Sequence, residues 1–221
     1  MAATSPPSDR TKIRRLPDRG RYDRATISSI LDEAYIAHVG FLADGDPRVL
    51  PMTYGRIGEV LYLHGAVGNA MLRGSSGVQV CVTVTLLDGL VLARSAFHHS
   101  MNYRSVVVLG EASRVDDEDE KRAALDAVVD HVLPGRSRDA RPTDEGELRA
   151  TLVLRVPLDE ASAKVRVGGP IDDERDMDLP VWAGVVPLRL VPAAPEQDPV
   201  QSTAGLRPPA AAALRRGPAA G

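Results

Sequence analysis

Between Cys81 and Gly110 two apolar runs rich in valine and leucine flank a polar centre with Arg94, His98, His99, Ser100, Asn102, Tyr103 and Arg104. Short apolar runs dominated by β-branched residues read as buried strands. The centre is too polar for a core and too dense in hydrogen-bonding groups for an idle connection. Rigid strands that hold many donors together suit a ligand site, and this constrains the fold more than any other stretch.

The rest of the chain extends that pattern. Ile36 to Ala43, Arg48 to Tyr54 and Val60 to His64 read as three strands, separated by Asp44-Gly45-Asp46-Pro47 and Arg56-Ile57-Gly58-Glu59. Further strands are expected at Val78 to Leu86, Tyr103 to Arg114, Leu152 to Leu158 and Ala163 to Val167. Tight turns between short strands favour an antiparallel sheet or barrel over βαβ units. Two main helices interrupt the strands. Ile27, Ile30, Leu31 and Ala34 share one helical face behind an Asp23 N-cap. Leu125, Val128, Val129 and Val132 stripe a second helix whose first turn is acidic, which complements the helix dipole. A third, short helix is expected through Ala70 to Arg73, and Arg136 to Gly146 reads as polar loop. The fold class is α+β: an antiparallel, partly closed β-barrel of about six or seven strands with flanking helices.

Residues 1–21 form a basic arm, 22–191 the folded domain, and 192–221 a Pro/Ala-rich tail expected to be disordered. The net charge of −3 offers no bulk attraction to nucleic acid or an anionic membrane. No stretch approaches the length of a membrane span, and no leader pattern opens the chain, so a cytoplasmic protein is expected. The one cysteine, Cys81, lies inside an apolar run and reads as a small core residue. No zinc spacing, Walker loop, nucleophile elbow or dinucleotide fingerprint is present. Adjacent His98 and His99 point in different directions on regular backbone, so no shared metal is expected. The acidic loop Asp172, Asp173, Glu174, Asp176 and Asp178 lacks calcium-loop spacing and reads as solvated. Aromatics are only 4% of the chain, so Trp182, the lone tryptophan, is either core or a stacking face for a planar ligand.

The turn His64-Gly65-Ala66-Val67-Gly68-Asn69 leaves a strand and enters a helix. Its small residues let backbone N–H groups approach an anion, and Arg73 lies about one turn further on. Taken together, Pro51-Met52-Thr53-Tyr54, Leu61-Tyr62-Leu63-His64-Gly65, Thr85 to Ser95, Ser100 to Val107, Lys164-Val165-Arg166 and Trp182 to Pro187 resemble, in order, the flavin-nucleotide-binding branch of the pyridoxamine 5'-phosphate oxidase-like superfamily, akin to nitroimidazole-resistance reductases. The resemblance spans about residues 12 to 190.

It implies an FMN-binding split barrel that forms a homodimer with flavin at the subunit interface. The phosphate would sit over the turn of His64, Gly65 and Asn69, near Arg73. The strand of Leu50, Met52 and Tyr54 would pass along the isoalloxazine. Tyr103, Arg104 and Ser105 would reach the cofactor from the partner, and Trp182 would close the pocket. Relatives carry a basic residue within that turn where this chain has Asn69-Ala70-Met71, which leaves Arg73, Arg94, Arg104 and backbone N–H groups to hold the phosphate. The function implied is flavin-dependent oxidoreduction of a small molecule, with His64 either a proton donor or a phosphate contact. The alternative is a non-catalytic barrel that binds flavin, deazaflavin or haem, the last suggested by His98 and His99. Pyridoxamine 5'-phosphate oxidation itself ranks low, because its C-terminal Arg-Leu-His-Asp-like run is replaced by the Pro/Ala-rich tail.

Overall fold

The structure is a computed structural model describing residues 5–66, 77–200, 205 and 207–208. Ten strands and four helices follow one another: β1 (Gly20–Arg21), α1 (Arg24–Glu33), β2 (Ala37–Ala43), β3 (Asp46–Met52), β4 (Tyr54–Ile57), β5 (Val60–Ala66), β6 (Val78–Leu92), β7 (Ser100–Arg114), α2 (Glu118–Val132), α3 (Arg136–Asp139), α4 (Glu145–Ala150), β8 (Thr151–Pro157), β9 (Ala161–Arg166) and β10 (Gly184–Pro187). All pairings are antiparallel, in the order β3-β2-β6-β7-β8-β5-β4. The long strand β7 splits the sheet. Its first half pairs with β9 and its last residues with β8. This is the α+β antiparallel barrel that the turn pattern predicts, split as the family resemblance implies.

The strand count exceeds the expected six or seven for a local reason. Thr53 breaks the second expected strand into β3 and β4, while β1 and β10 are too short to leave a periodic signal. The loop expected at Arg136 to Gly146 contains α3 and the capped start of α4, where Asp144 accepts from Glu147 N–H. The expected helix at Ala70 to Arg73 lies outside the described residues.

The core is aliphatic. Val39, Leu61, Leu63, Val82, Val84, Val106, Val108, Leu154 and Val156 meet the buried face of α1. That face is Ile27, Ile30, Leu31 and Ala34, and Asp23 caps the helix by accepting from Thr26 N–H at 2.8 Å. Helix α2 buries Ala124, Val128 and His131; of the expected stripe Val128 is buried, Leu125 and Val129 are half-buried and Val132 is exposed. Two contacts set this rotation. The His131 ring lies 4.2 Å from that of Tyr54, and α2 packs so closely on β4 that a Cβ at Gly55 would meet Val128 N at 2.8 Å. The edge strand β3 carries Pro47 and Pro51, paired with Leu42 and His38 of β2.

Candidate functional site at the outer face of β6, β7 and β10

Alternation along a strand sends neighbouring residues to opposite faces. On β7, Val106 and Val108 point into the core, so Tyr103 and Ser105 lie on the outer face and Arg104 on the inner one. The expected trio Tyr103, Arg104 and Ser105 therefore divides. Arg104 donates to Asp88 at 2.8 and 2.9 Å and to both carboxylate oxygens of Glu33 at the end of α1. Its hydrogen bonds to Glu33 and Asp88 raise its pKa further. With both carboxylates in place, this guanidinium ties α1 to the sheet, and its charge is already balanced. Asp88 reaches it because β6 bulges between Leu87 and Gly89, the extra residue turning Asp88 inward.

The outer face is unusual. Val186, Leu90 and Met101 form one cross-strand row over β10, β6 and β7, and Leu87 lies opposite Tyr103. Leu87, Met101 and Val186 are exposed, as is Phe97 in the β6–β7 connection at 89%. Trp182 is 65% exposed. Its indole rests on Gly184, where an added Cβ would come within 2.8 Å of the ring. Several large apolar side chains exposed at one end of a sheet make this face the candidate binding surface. Trp182 is thus not core, the first of its two readings.

The segment 167–183 straps this surface down. Arg94 donates to Asp172 Oδ2 at 2.9 Å and its backbone N–H to Asp172 Oδ1 at 2.9 Å. Burial pushes the Asp172 carboxyl up, but these hydrogen bonds outweigh it and leave the pKa below the ordinary range. Asp172 is not the solvated residue its acidic neighbourhood suggests: its side chain is 1% exposed. Arg94 thus has its counter-charge within the chain, although its buried Nε lacks a partner. His98 Nδ1 lies 2.9 Å from Ser95 Oγ and its Nε2 3.9 Å from Asp173. The ligand atoms of His98, Asp173 and Asp176 fall within 4.8 Å of one another, and Arg175 sits against both carboxylates. His99 Nδ1 bonds Ser95 O at 2.9 Å.

The other expected residues lie elsewhere. Leu50 and Met52 on β3 pack half-buried against the core. Tyr54 is fully buried, and its hydroxyl donates to Leu31 O at 2.5 Å and lies 3.2 Å from Ala34 O. It is a core residue and offers no ring face to a ligand. His64 is half-buried at the end of β5, opposite Val153. Its Nδ1 is buried and unpartnered among the described residues, and desolvation lowers its pKa. Gly65 follows it on the strand, and Asn69 and Arg73 lie outside the described residues. Asp88, Glu33 and Asp172 carried no usable signal in the sequence, since each reaches its arginine across 16 to 78 residues.

An antiparallel barrel split at β7, with an apolar outer face and a strap across it, defines a split-barrel protein. A family model for pyridoxamine 5'-phosphate oxidase matches residues 23–165, and the chain belongs to that family. It is similar in structure to the flavocytochrome Anf3 from Azotobacter vinelandii, at 40% identity and a TM-score of 0.89, covering 96% of this chain and 100% of that one. An FAD and heme binding protein from Mycobacterium smegmatis gives 35% identity and a TM-score of 0.83, over 90% of this chain and 98% of that one. A protein from Bacteroides thetaiotaomicron named for 5-nitroimidazole antibiotic resistance gives 30% identity and a TM-score of 0.55, over 66% of this chain and 86% of that one. No curated protein matches the chain in sequence. Among the described residues no helix is long and apolar enough to cross a membrane.

Proposed function

We propose that this chain is a flavin- and haem-binding redox protein that works as a homodimer, with FAD rather than FMN as its flavin. The carrying observation is identity of 40% and 35%, over nearly full length, to a flavocytochrome and to an FAD and heme binding protein. Family membership alone does not carry an activity, because one barrel hosts many chemistries.

The residues present fit both groups. For a planar flavin, Tyr103, Ser105, Met101 and Trp182 offer an apolar surface with hydroxyl donors on one outer face. The same face supplies the apolar area that a second copy would cover. For haem, histidine is a common axial ligand, and it binds iron through a ring nitrogen that is neutral and free. His64 meets this best: burial favours its neutral form, and Nδ1 has no partner among the described residues. His98 Nε2 faces Asp173, His99 is exposed, and the His131 ring packs against Tyr54. A flavin accepts electron pairs and releases them singly, which a haem iron can take up. The chain's own part is to present the apolar face, keep water from it with Trp182, and hold His64 uncharged.

The test is a visible spectrum of the purified protein with mass spectrometry of the small molecules it releases. A flavin band together with a haem Soret band, and released FAD, is the expected result. His64→Ala should lose the Soret band and keep the flavin. Protein that carries neither chromophore and takes up neither would overturn the proposal. A flavin reductase of small molecules without haem is the second reading, favoured by the likeness to the nitroimidazole-resistance protein. Released FMN, no haem, and nicotinamide-driven reduction of a nitroaromatic would select it.

A further inference from the structure

At the end of β9 the chain buries a positive charge that no described residue balances. Arg166 is 5% exposed, and a guanidinium stays protonated at any physiological pH. Its Nη1 donates to Asn102 Oδ1 and, at 3.3 Å, to Gly168 O; its Nη2 donates to Gly169 O at 3.1 Å. All three acceptors are neutral. Nε is buried with no partner. Among the described residues the nearby ion pairs join Arg94 to Asp172 and Arg104 to Glu33 and Asp88, and none reaches Arg166. Buried charges are ordinarily paired, because neutral acceptors satisfy a donor without cancelling the ion's desolvation.

The neighbouring charge has the wrong sign. The 3-10 turn Pro17–Arg19 leads into β1, where Gly20 pairs with Lys164. This brings Arg19 alongside the end of β9, and burial together with the Arg19 charge lowers the pKa of Arg166. Arg21 and Lys164 flank the pair. Arg19 has no ion-pair partner among the described residues. Gly168 and Gly169 accept from the buried guanidinium through their carbonyls. Both are exposed, and a Cβ at either would meet nothing within 4 Å. The hydrogen bonds explain how the strap is pinned, but a glutamine would pin it without burying a charge.

We propose that Arg166 and Arg19 seat a phosphate group of a nucleotide ligand, whose negative charges balance the two guanidiniums. Guanidinium forks match phosphate oxygens two at a time, so Arg suits this role better than Lys. The phosphate belongs either to a dinucleotide cofactor, a source that rests on the flavin proposal above, or to a free phosphorylated molecule. The site itself needs neither.

The test titrates the full-length protein with inorganic pyrophosphate by calorimetry, and with FAD and FMN by fluorescence quenching, at low and high salt. Arg19→Gln is the main variant, since Arg19 has no ion pair to lose among the described residues; Arg166→Gln is the second, and melting curves of both check the fold. The expected result is a loss of about tenfold in pyrophosphate or FAD affinity at Arg19→Gln, the size of one charge-assisted contact, with a shallower salt dependence. FAD weakened while FMN is unchanged assigns the phosphate to the cofactor. Pyrophosphate weakened with both flavins unchanged assigns it to a free ligand. If pyrophosphate binds with this sensitivity but no flavin binds at all, the phosphate site stands and the flavin proposal falls. Affinities for all three ligands unchanged in Arg19→Gln, or no binding of any of them, would overturn the site.

Discussion

The inner and outer faces of the sheet are made from the same residue types and behave oppositely. Inside, valines and leucines of β2, β5, β6, β7 and β8 interdigitate with α1 and are almost wholly buried. Outside, Leu87, Met101, Val186 and Trp182 stay open to solvent, and polar tethers rather than packing hold the strap beside them. The inner face has all its partners within the chain. Among the described residues the outer face is left uncovered, and that asymmetry separates residues that make the fold from residues open to the proposed ligand.

Truncation on the inner face should be the most damaging change. Leu154→Ala is expected to cost about 2–5 kcal/mol by chemical denaturation, from lost burial plus a cavity. Trp182→Ala should stay within about 0.5 kcal/mol, as for exposed sites, while weakening flavin binding and dimerisation. A large stability loss at Trp182 would break the comparison. Arg104→Met comes next at about 2 kcal/mol, since it leaves Glu33 and Asp88 facing each other unpaired, with partial exposure softening the penalty. Asp172→Asn should cost about 1 kcal/mol and loosen the strap, read as faster amide exchange over 167–183 with the core unchanged.

The smallest effect is in acid. The folded pKa of Asp172 lies below its ordinary value, so the unfolded chain binds its proton first as pH falls. Its contribution is complete above about pH 4 and drains away as pH drops through the folded value. Denaturation midpoints of wild type should therefore fall more steeply below about pH 4 than those of Asp172→Asn. Parallel curves would detach Asp172 from strap stability.

Local periodicity made much of the inner face readable. The α1 stripe and its Asp23 cap stand where a helical pattern places them, because both depend on residues three or four apart. The β6–β7 hairpin was legible from its two apolar runs. The functional side resisted for a physical reason. Whether Arg104 is free or engaged depends on Glu33, 71 residues away, and on a bulge that turns Asp88 inward. The acidic run likewise suggested a solvated Asp172, and the family resemblance implied a ligand-facing Tyr54; long-range contacts reversed both. Arg166 stood out only as part of a recurring motif, since burial of a charge is invisible until the strap is laid over it.

The prolines of β3 carry a final consequence. An unpaired strand edge invites another chain to extend the sheet, yet Pro47 and Pro51 remove two of the N–H groups such an invader would need. Self-association is thereby steered away from that margin. Concentrated protein should stay clear of fibrous aggregates, and Pro51→Thr is the substitution that would reopen the way to them.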